Sequence, residues 1–172
     1  MIDRSRASAL RLFALDVDGV LTDGRIYYGH DGEELKAFDI KDGLGLKLLQ
    51  RAGVELALIT GRRSRSVARR AEELGIEHLV QGREDKRRAL EELCAGLGLG
   101  LDECAYMGDD LPDLGALAAV GIALAPADAV AAVAAAAHWQ SRFAGGAGAV
   151  REACEQLLHA MDRREAVEAP YR

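Results

Sequence analysis

The sequence has few cysteines, no long apolar run and no concentration of positive charge. Its three cysteines, Cys94, Cys104 and Cys154, are odd in number and fall outside any metal-ligand or redox spacing, which excludes a disulfide framework and fits a reducing compartment. They read as small buried hydrophobes. The apolar stretch at 10–15 is too short for a signal sequence or a membrane span, and Asp16 and Asp18 close it off; the expected location is the cytoplasm. The formal net charge is -6 and no basic stripe with interleaved aromatics appears. Neither nucleic acid nor an anionic membrane surface is therefore an expected partner.

What is present describes an ordinary folded chain. With 172 residues, 49% hydrophobic and 29% charged, it is long enough to bury about two-thirds of its unfolded surface around one core, so a single domain over 1–172 is expected. Short apolar runs, RLFALDV, VELALIT at 54–60, IEHLV at 76–80, CAYM at 104–107 and VGIAL at 120–124, alternate with stretches of helical spacing at 42–52, 64–74, 85–95 and 110–118. That rhythm predicts an α/β fold on a parallel sheet. RIYYGHDGEELKAF at 25–38 breaks it with two strand-like pieces around a Gly-His-Asp-Gly turn, which fits a β-hairpin after the first strand. The alanine-rich stretch 129–137 reads as a helix with Asp128 placed to cap it. AGAVREACEQLLHAM reads as another, and the charged end 162–172 as a mobile tail.

Three apolar strands end in chemically capable residues: Asp16-Val17-Asp18-Gly19, Thr60-Gly61-Arg62 and Gly108-Asp109-Asp110. Ligands of open α/β sheets bind beyond the carboxyl ends of the strands, so the three termini are expected to converge. Asp16 and Asp18 lie two apart and share a side of the strand, where they could hold a metal or a proton; alone, the pair also reads as a strand-end turn or helix cap. The adjacent carboxylates of Asp109 and Asp110 would repel each other at a dry strand end unless a cation stood nearby, and Mg²⁺ takes such hard oxygen ligands. Capping of the next helix is the plainer alternative. Gly61 frees the following amides to face an anion. Lys86, in GREDKRRALEEL, otherwise reads as part of a solvated helix face.

Taken together, the order DxDG, Thr-Gly, Lys and GDD, each acidic or hydroxyl member after an apolar strand, resembles the four motifs of the haloacid dehalogenase superfamily. The resemblance implies a Rossmann-like three-layer α/β/α sandwich and a Mg²⁺-dependent phosphatase. It assigns Asp16 as the nucleophile that forms an aspartyl-phosphate, and Asp18 as general acid and base whose carbonyl also ligates Mg²⁺. Thr60 and Lys86 then stabilise the transferring phosphoryl group, and Asp109 is the further Mg²⁺ ligand. Asp110 supports the site through the lysine or through a metal-bound water.

The chain leaves no room for the cap domain common in the superfamily. LDVDGVLTDGRIYY, GEELKAFDIKDG, ALITGR and YMGDDLPDL resemble its capless branch acting on 3-deoxy-D-manno-octulosonate 8-phosphate. That likeness implies a sugar-acid phosphate substrate contacted by Thr60, Gly61 and Arg62. It also implies a homotetramer packed through the 25–38 hairpins, which would bury Ile26, Tyr28, Leu35 and Phe38; packing back onto their own core is the alternative. A nine-carbon sialic-type phosphate or another small sugar phosphate is the competing substrate. A non-catalytic phospho-receiver or regulatory module is the competing class, although a receiver places its aspartate after the third strand, where this chain has Gln81-Gly82.

Overall fold

The computed structural model describes residues 1–171. A five-residue helix, α1 (Arg4–Ser8), precedes the central strand β1 (Leu12–Leu15), and a hairpin of two-residue strands, β2 (Tyr27–Tyr28) and β3 (Glu34–Leu35), follows it. Then come α2 (Ile40–Arg51), β4 (Glu55–Thr60), α3 (Arg65–Leu74), β5 (His78–Gln81), α4 (Lys86–Leu97), β6 (Cys104–Met107), α5 (Leu114–Leu117), β7 (Ile122–Ala125), α6 (Ala131–Ala136), β8 (Trp139–Gln140), α7 (Ala149–Ala160) and α8 (Arg164–Glu168). The main sheet has the order β5-β4-β1-β6-β7-β8, and every pairing in it is parallel. The hairpin is antiparallel, with Tyr27 opposite Leu35.

The period of two along each central strand divides the core into two layers. Phe13, Leu15, Leu56, Leu58, Met107 and Leu124 point to one face, where Leu46, Leu49, Val150 and Leu157 of α2 and α7 meet them. Leu12, Ala14, Ala57, Ile59, Tyr106 and Ala123 point to the other, against Leu90 and Cys94 of α4 and Leu117 of α5. Helices on both faces of a parallel sheet make the expected Rossmann-like sandwich. Among the described residues only the small hairpin is inserted after β1, and no helix is long and apolar enough to cross a membrane.

A buried carboxylate ties the first layer together. The α7 N-terminus begins at Gly148, which has no side chain to cap it; Asp42 of α2 accepts the Arg151 N–H at 2.7 Å and the Gly148 N–H at 3.4 Å instead. Burial raises the Asp42 carboxyl to about 6 in spite of these donors. A folded state that binds this extra proton gains stability below the unfolded value of 3.8 and loses it as pH rises through about 6. Urea unfolding should therefore show a steeper loss of stability over that interval for the wild type than for Asp42→Asn. Parallel pH profiles would contradict the assignment.

Three sequence expectations change in the structure, and the two alternatives for the hairpin's apolar side chains divide. The helix expected at 110–118 is a 3₁₀ turn, Leu111–Asp113, followed by a single turn, α5, because Pro112 lies at the turn's start and the Asp113 side chain reaches back to the chain before it. Asp128 does not cap α6; its carboxylate accepts the Gly145 N–H. The segment read as a mobile tail is helical in α8 and turns again over Ala169–Tyr171. There Val167 is buried, Arg164 pairs with Glu155 and Glu168, and Arg51 donates to the Tyr171 hydroxyl at 2.8 Å; Arg172 lies outside the described residues. Finally, Ile26, Tyr28 and Leu35 are exposed, whereas Phe38 packs against its own core beneath Arg70. The cysteines are all buried, although the fold brings Cys94 and Cys104, distant in sequence, to 3.3 Å.

Candidate active site

Strand order places the carboxyl ends of β4, β1 and β6 side by side, at the point where successive connections leave β1 in opposite directions. The residues that follow these ends line one cleft of about 410 Å³. Asp16 and Asp18 come from the turn after β1, Thr60, Gly61 and Arg62 from the end of β4, Lys86 from the first turn of α4, and Asp109 and Asp110 from beyond β6. Every residue expected at the site from sequence is thus brought to the same place. The Asp16 N–H donates to Met107 O at 2.9 Å, continuing the ladder one residue past β1 and setting the direction of its side chain.

Gly19 allows the closest approach. Its φ is +94°, and a Cβ there would stand 2.1 Å from Asp109 Oδ2, so any side chain would push the β6 loop away from the β1 loop. From the far side, Gly145 packs so tightly that a Cβ would meet the Gly19 carbonyl at 1.8 Å. This is why the Gly-Gly pair at 145–146 belongs to the site although it lies beyond the cleft lining.

Lys86 is buried and bridges two carboxylates, with Nζ 2.9 Å from Asp16 Oδ1 and 2.7 Å from Asp113 Oδ1. Asp113 was not anticipated. It is fully buried and accepts four hydrogen bonds: Lys86 Nζ and the Tyr106 hydroxyl at Oδ1, and the N–H groups of Asp109 and Asp110 at Oδ2. The contact with the lysine expected for Asp110 belongs to Asp113 instead; Asp110 accepts the Leu111 N–H at 2.7 Å as the cap of its own turn. Lys36 of the hairpin was likewise unforeseen. Its ammonium is hydrogen-bonded to Asp18 Oδ1 and its side chain is 1% exposed. The sequence signals were an acid five residues after Gly108, and a Glu-x-Lys alternation that carries the period of two one residue past β3.

The electrostatics leave a surplus of negative charge. Burial, then Asp113, pushes the Asp16 carboxyl up to about 6 against the pull of Lys86. Burial with Asp16 and Asp113 pushes Asp109 up to about 8. Burial alone would lower the Lys86 ammonium, but Asp16 and Asp113 outweigh it and raise its pKa. Asp16, Asp109 and Asp113 present oxygens within 4.8 Å of one another, and Asp109 Oδ1 is buried without a hydrogen-bond partner. One ammonium does not neutralise three carboxylates, two of them buried and the third half-buried, and an unsatisfied buried oxygen is costly. A hard divalent cation fits this donor set. Asp113, with its oxygens already engaged, is suited to fix the others from behind rather than to ligate.

Known proteins agree with this geometry. Residues 39–121 match the model of the haloacid dehalogenase-like hydrolases. The 3-deoxy-D-manno-octulosonate 8-phosphate phosphatase of Yersinia pestis is 48% identical over 160 residues, which cover 93% of this chain and 86% of that protein. The protein of the same name from Escherichia coli K12 is 45% identical over 159 residues, covering 92% and 85%. Among solved structures, the Moraxella catarrhalis 3-deoxy-D-manno-octulosonate 8-phosphate phosphatase, in complex with magnesium, phosphate and KDO, superposes with a TM-score of 0.96 at 46% identity, covering 98% of this chain and 97% of that one. The cobalt-bound Haemophilus influenzae phosphatase gives 0.90 at 37%, covering 94% of each. This chain is a phosphoric monoester hydrolase of the haloacid dehalogenase-like class, and belongs to the family of the 3-deoxy-D-manno-octulosonate 8-phosphate phosphatases.

Proposed function

We propose that the enzyme hydrolyses 3-deoxy-D-manno-octulosonate 8-phosphate to the free sugar acid and phosphate, with Mg²⁺ as cofactor, through a phosphorylated Asp16. The observation that carries this reading is the buried cluster in which Lys86 spans Asp16 and Asp113 while Asp109 Oδ1 stands partnerless beside them. The carboxylates of Asp16 and Asp109, with the Asp18 carbonyl, would hold Mg²⁺, which when bound supplies positive charge against the phosphoryl oxygens. Lys86 aligns the Asp16 carboxylate and adds its own charge to the same oxygens.

Asp16 attacks phosphorus as the ester P–O bond breaks, and Asp18 protonates the departing sugar oxygen. Asp18 then takes a proton from water, whose oxygen attacks the phosphorus of the aspartyl-phosphate, releasing phosphate and restoring Asp16. Thr60 Oγ1 accepts the Arg62 N–H at 3.2 Å, which leaves its hydroxyl proton to donate to a phosphoryl oxygen. Arg62, at the rim of the cleft, contacts the sugar-acid carboxylate with its planar fork.

The whole of 1–172 acts as one catalytic domain in the cytoplasm, as a homotetramer through the 25–38 hairpins. Ile26, Tyr28 and Leu35, 46%, 70% and 49% exposed, support that assembly, because apolar side chains clustered on so small a hairpin favour burial between copies. Turnover of 3-deoxy-D-manno-octulosonate 8-phosphate, a nine-carbon sialic-type phosphate and a hexose phosphate tests the substrate. The expected kcat/KM favours the eight-carbon acid by about tenfold or more, the discrimination available from one chain carbon; equal turnover of all three would refute the assignment.

A further inference from the structure

The hairpin reaches the cleft through two side chains that none of the superfamily motifs contains. Lys36, almost wholly buried, is hydrogen-bonded to Asp18 and stands 2.9 Å from Glu34 Oε1. The other Glu34 oxygen accepts from Arg62 Nη2. Charge therefore alternates along an unbroken chain, from Asp18 through Lys36 and Glu34 to Arg62 at the rim. Lys36 and Arg62 hold the Glu34 carboxyl below its usual range, so it carries its charge at neutral pH. The Arg62 side chain itself is 45% exposed. Without the Glu34 pair, an arginine so exposed would lose its rotamer freedom only when a ligand arrives, at a cost to affinity.

We propose that Glu34, itself held by the buried Lys36, is a positioning residue for specificity: it presets the Arg62 guanidinium for an anionic group at the far end of a phosphate ester. The inference rests on the reading of Arg62 as the sugar-acid contact. Glu34 shares its carboxylate between the two cations and touches none of the phosphoryl-transfer groups except through Lys36, so its effect belongs to substrate recognition. The hairpin thereby does part of the work of the missing cap domain.

Steady-state kinetics of the full chain with Mg²⁺ test this, using 3-deoxy-D-manno-octulosonate 8-phosphate and the carboxylate-free p-nitrophenyl phosphate. For Glu34→Gln, the ratio of kcat/KM between the acid and the aryl ester should fall about tenfold, the worth of one charge-assisted hydrogen bond, and the fall should lie in KM for the acid. The same substitution added to Arg62→Ala should lower the ratio no further, since both act through one group. Continued turnover of p-nitrophenyl phosphate reports that the variant is folded. A ratio unchanged by Glu34→Gln, an equal loss on both esters, or additive effects in the double variant would overturn the proposal. A wild-type enzyme with no preference for the acid would overturn the substrate reading and this inference together; a preference that survives Glu34→Gln overturns the inference alone.

Discussion

Asp16→Asn should lower kcat by about four orders of magnitude or more, the scale set by removing a covalent nucleophile, while the folded protein becomes no less stable. The two halves of this expectation have separate causes. The amide has nearly the shape of the carboxylate but cannot attack phosphorus, so no aspartyl-phosphate forms. Stability behaves differently because Asp16 is buried beside Asp109 and Asp113, and its carboxyl is pushed up to about 6. A neutral side chain there removes repulsion among like charges, although Lys86 loses one of its two ion pairs. Turnover and thermal unfolding of the same preparation separate the effects. Activity within a hundredfold of wild type would remove Asp16 from the nucleophile's role, and a large fall in melting temperature would show that the Lys86 pair outweighs the repulsion.

Chelation should abolish turnover, and Mg²⁺ should restore it. The same cation should raise the melting temperature. Binding at a hundredfold over Kd contributes about 2.7 kcal/mol, which for a chain of this size is on the order of 5 to 10 °C. Asp109→Asn should lose most of that shift, because the unpartnered buried oxygen of Asp109 offers itself to the cation, whereas Asp113 already has four donors. Thermal unfolding with and without EDTA and Mg²⁺ checks this without reference to turnover. Activity indifferent to chelation, or an undiminished shift in Asp109→Asn, would refute the metal assignment.

Much of the site was legible before the fold was known, and the residues that were not share a cause. Asp16 and Thr60 each stand immediately after an apolar run and Asp109 follows one across Gly108, so the end of a strand marked them. Asp113 carries no such mark: it lies within a turn, and its importance comes from a lysine distant in sequence and from backbone amides that point back at it. The exchange of roles between Asp110 and Asp113 has the same origin, since adjacent carboxylates look equivalent until the turn directs one outward as a cap and the other inward. Glu34 lies on a two-residue strand that ends before Lys36, too short for alternation to stand out. Trp139 and Gln140, which complete the sheet edge, were missed for the same reason, and the segment read as a mobile tail folded because Val167 and Tyr171 found partners that charge counting does not reveal.

The sequence by itself determined the α/β class, the strand order's functional end and the chemistry of the reacting groups, because hydrophobic periodicity and the residue after each strand are local properties written along the chain. Only the tertiary structure decided which carboxylates face one another, which one Lys86 bridges, and how the hairpin's charges reach Arg62. Those depend on distances across the sheet and on burial, and electrostatic energy in a dry cleft is governed by these two quantities rather than by separation along the chain.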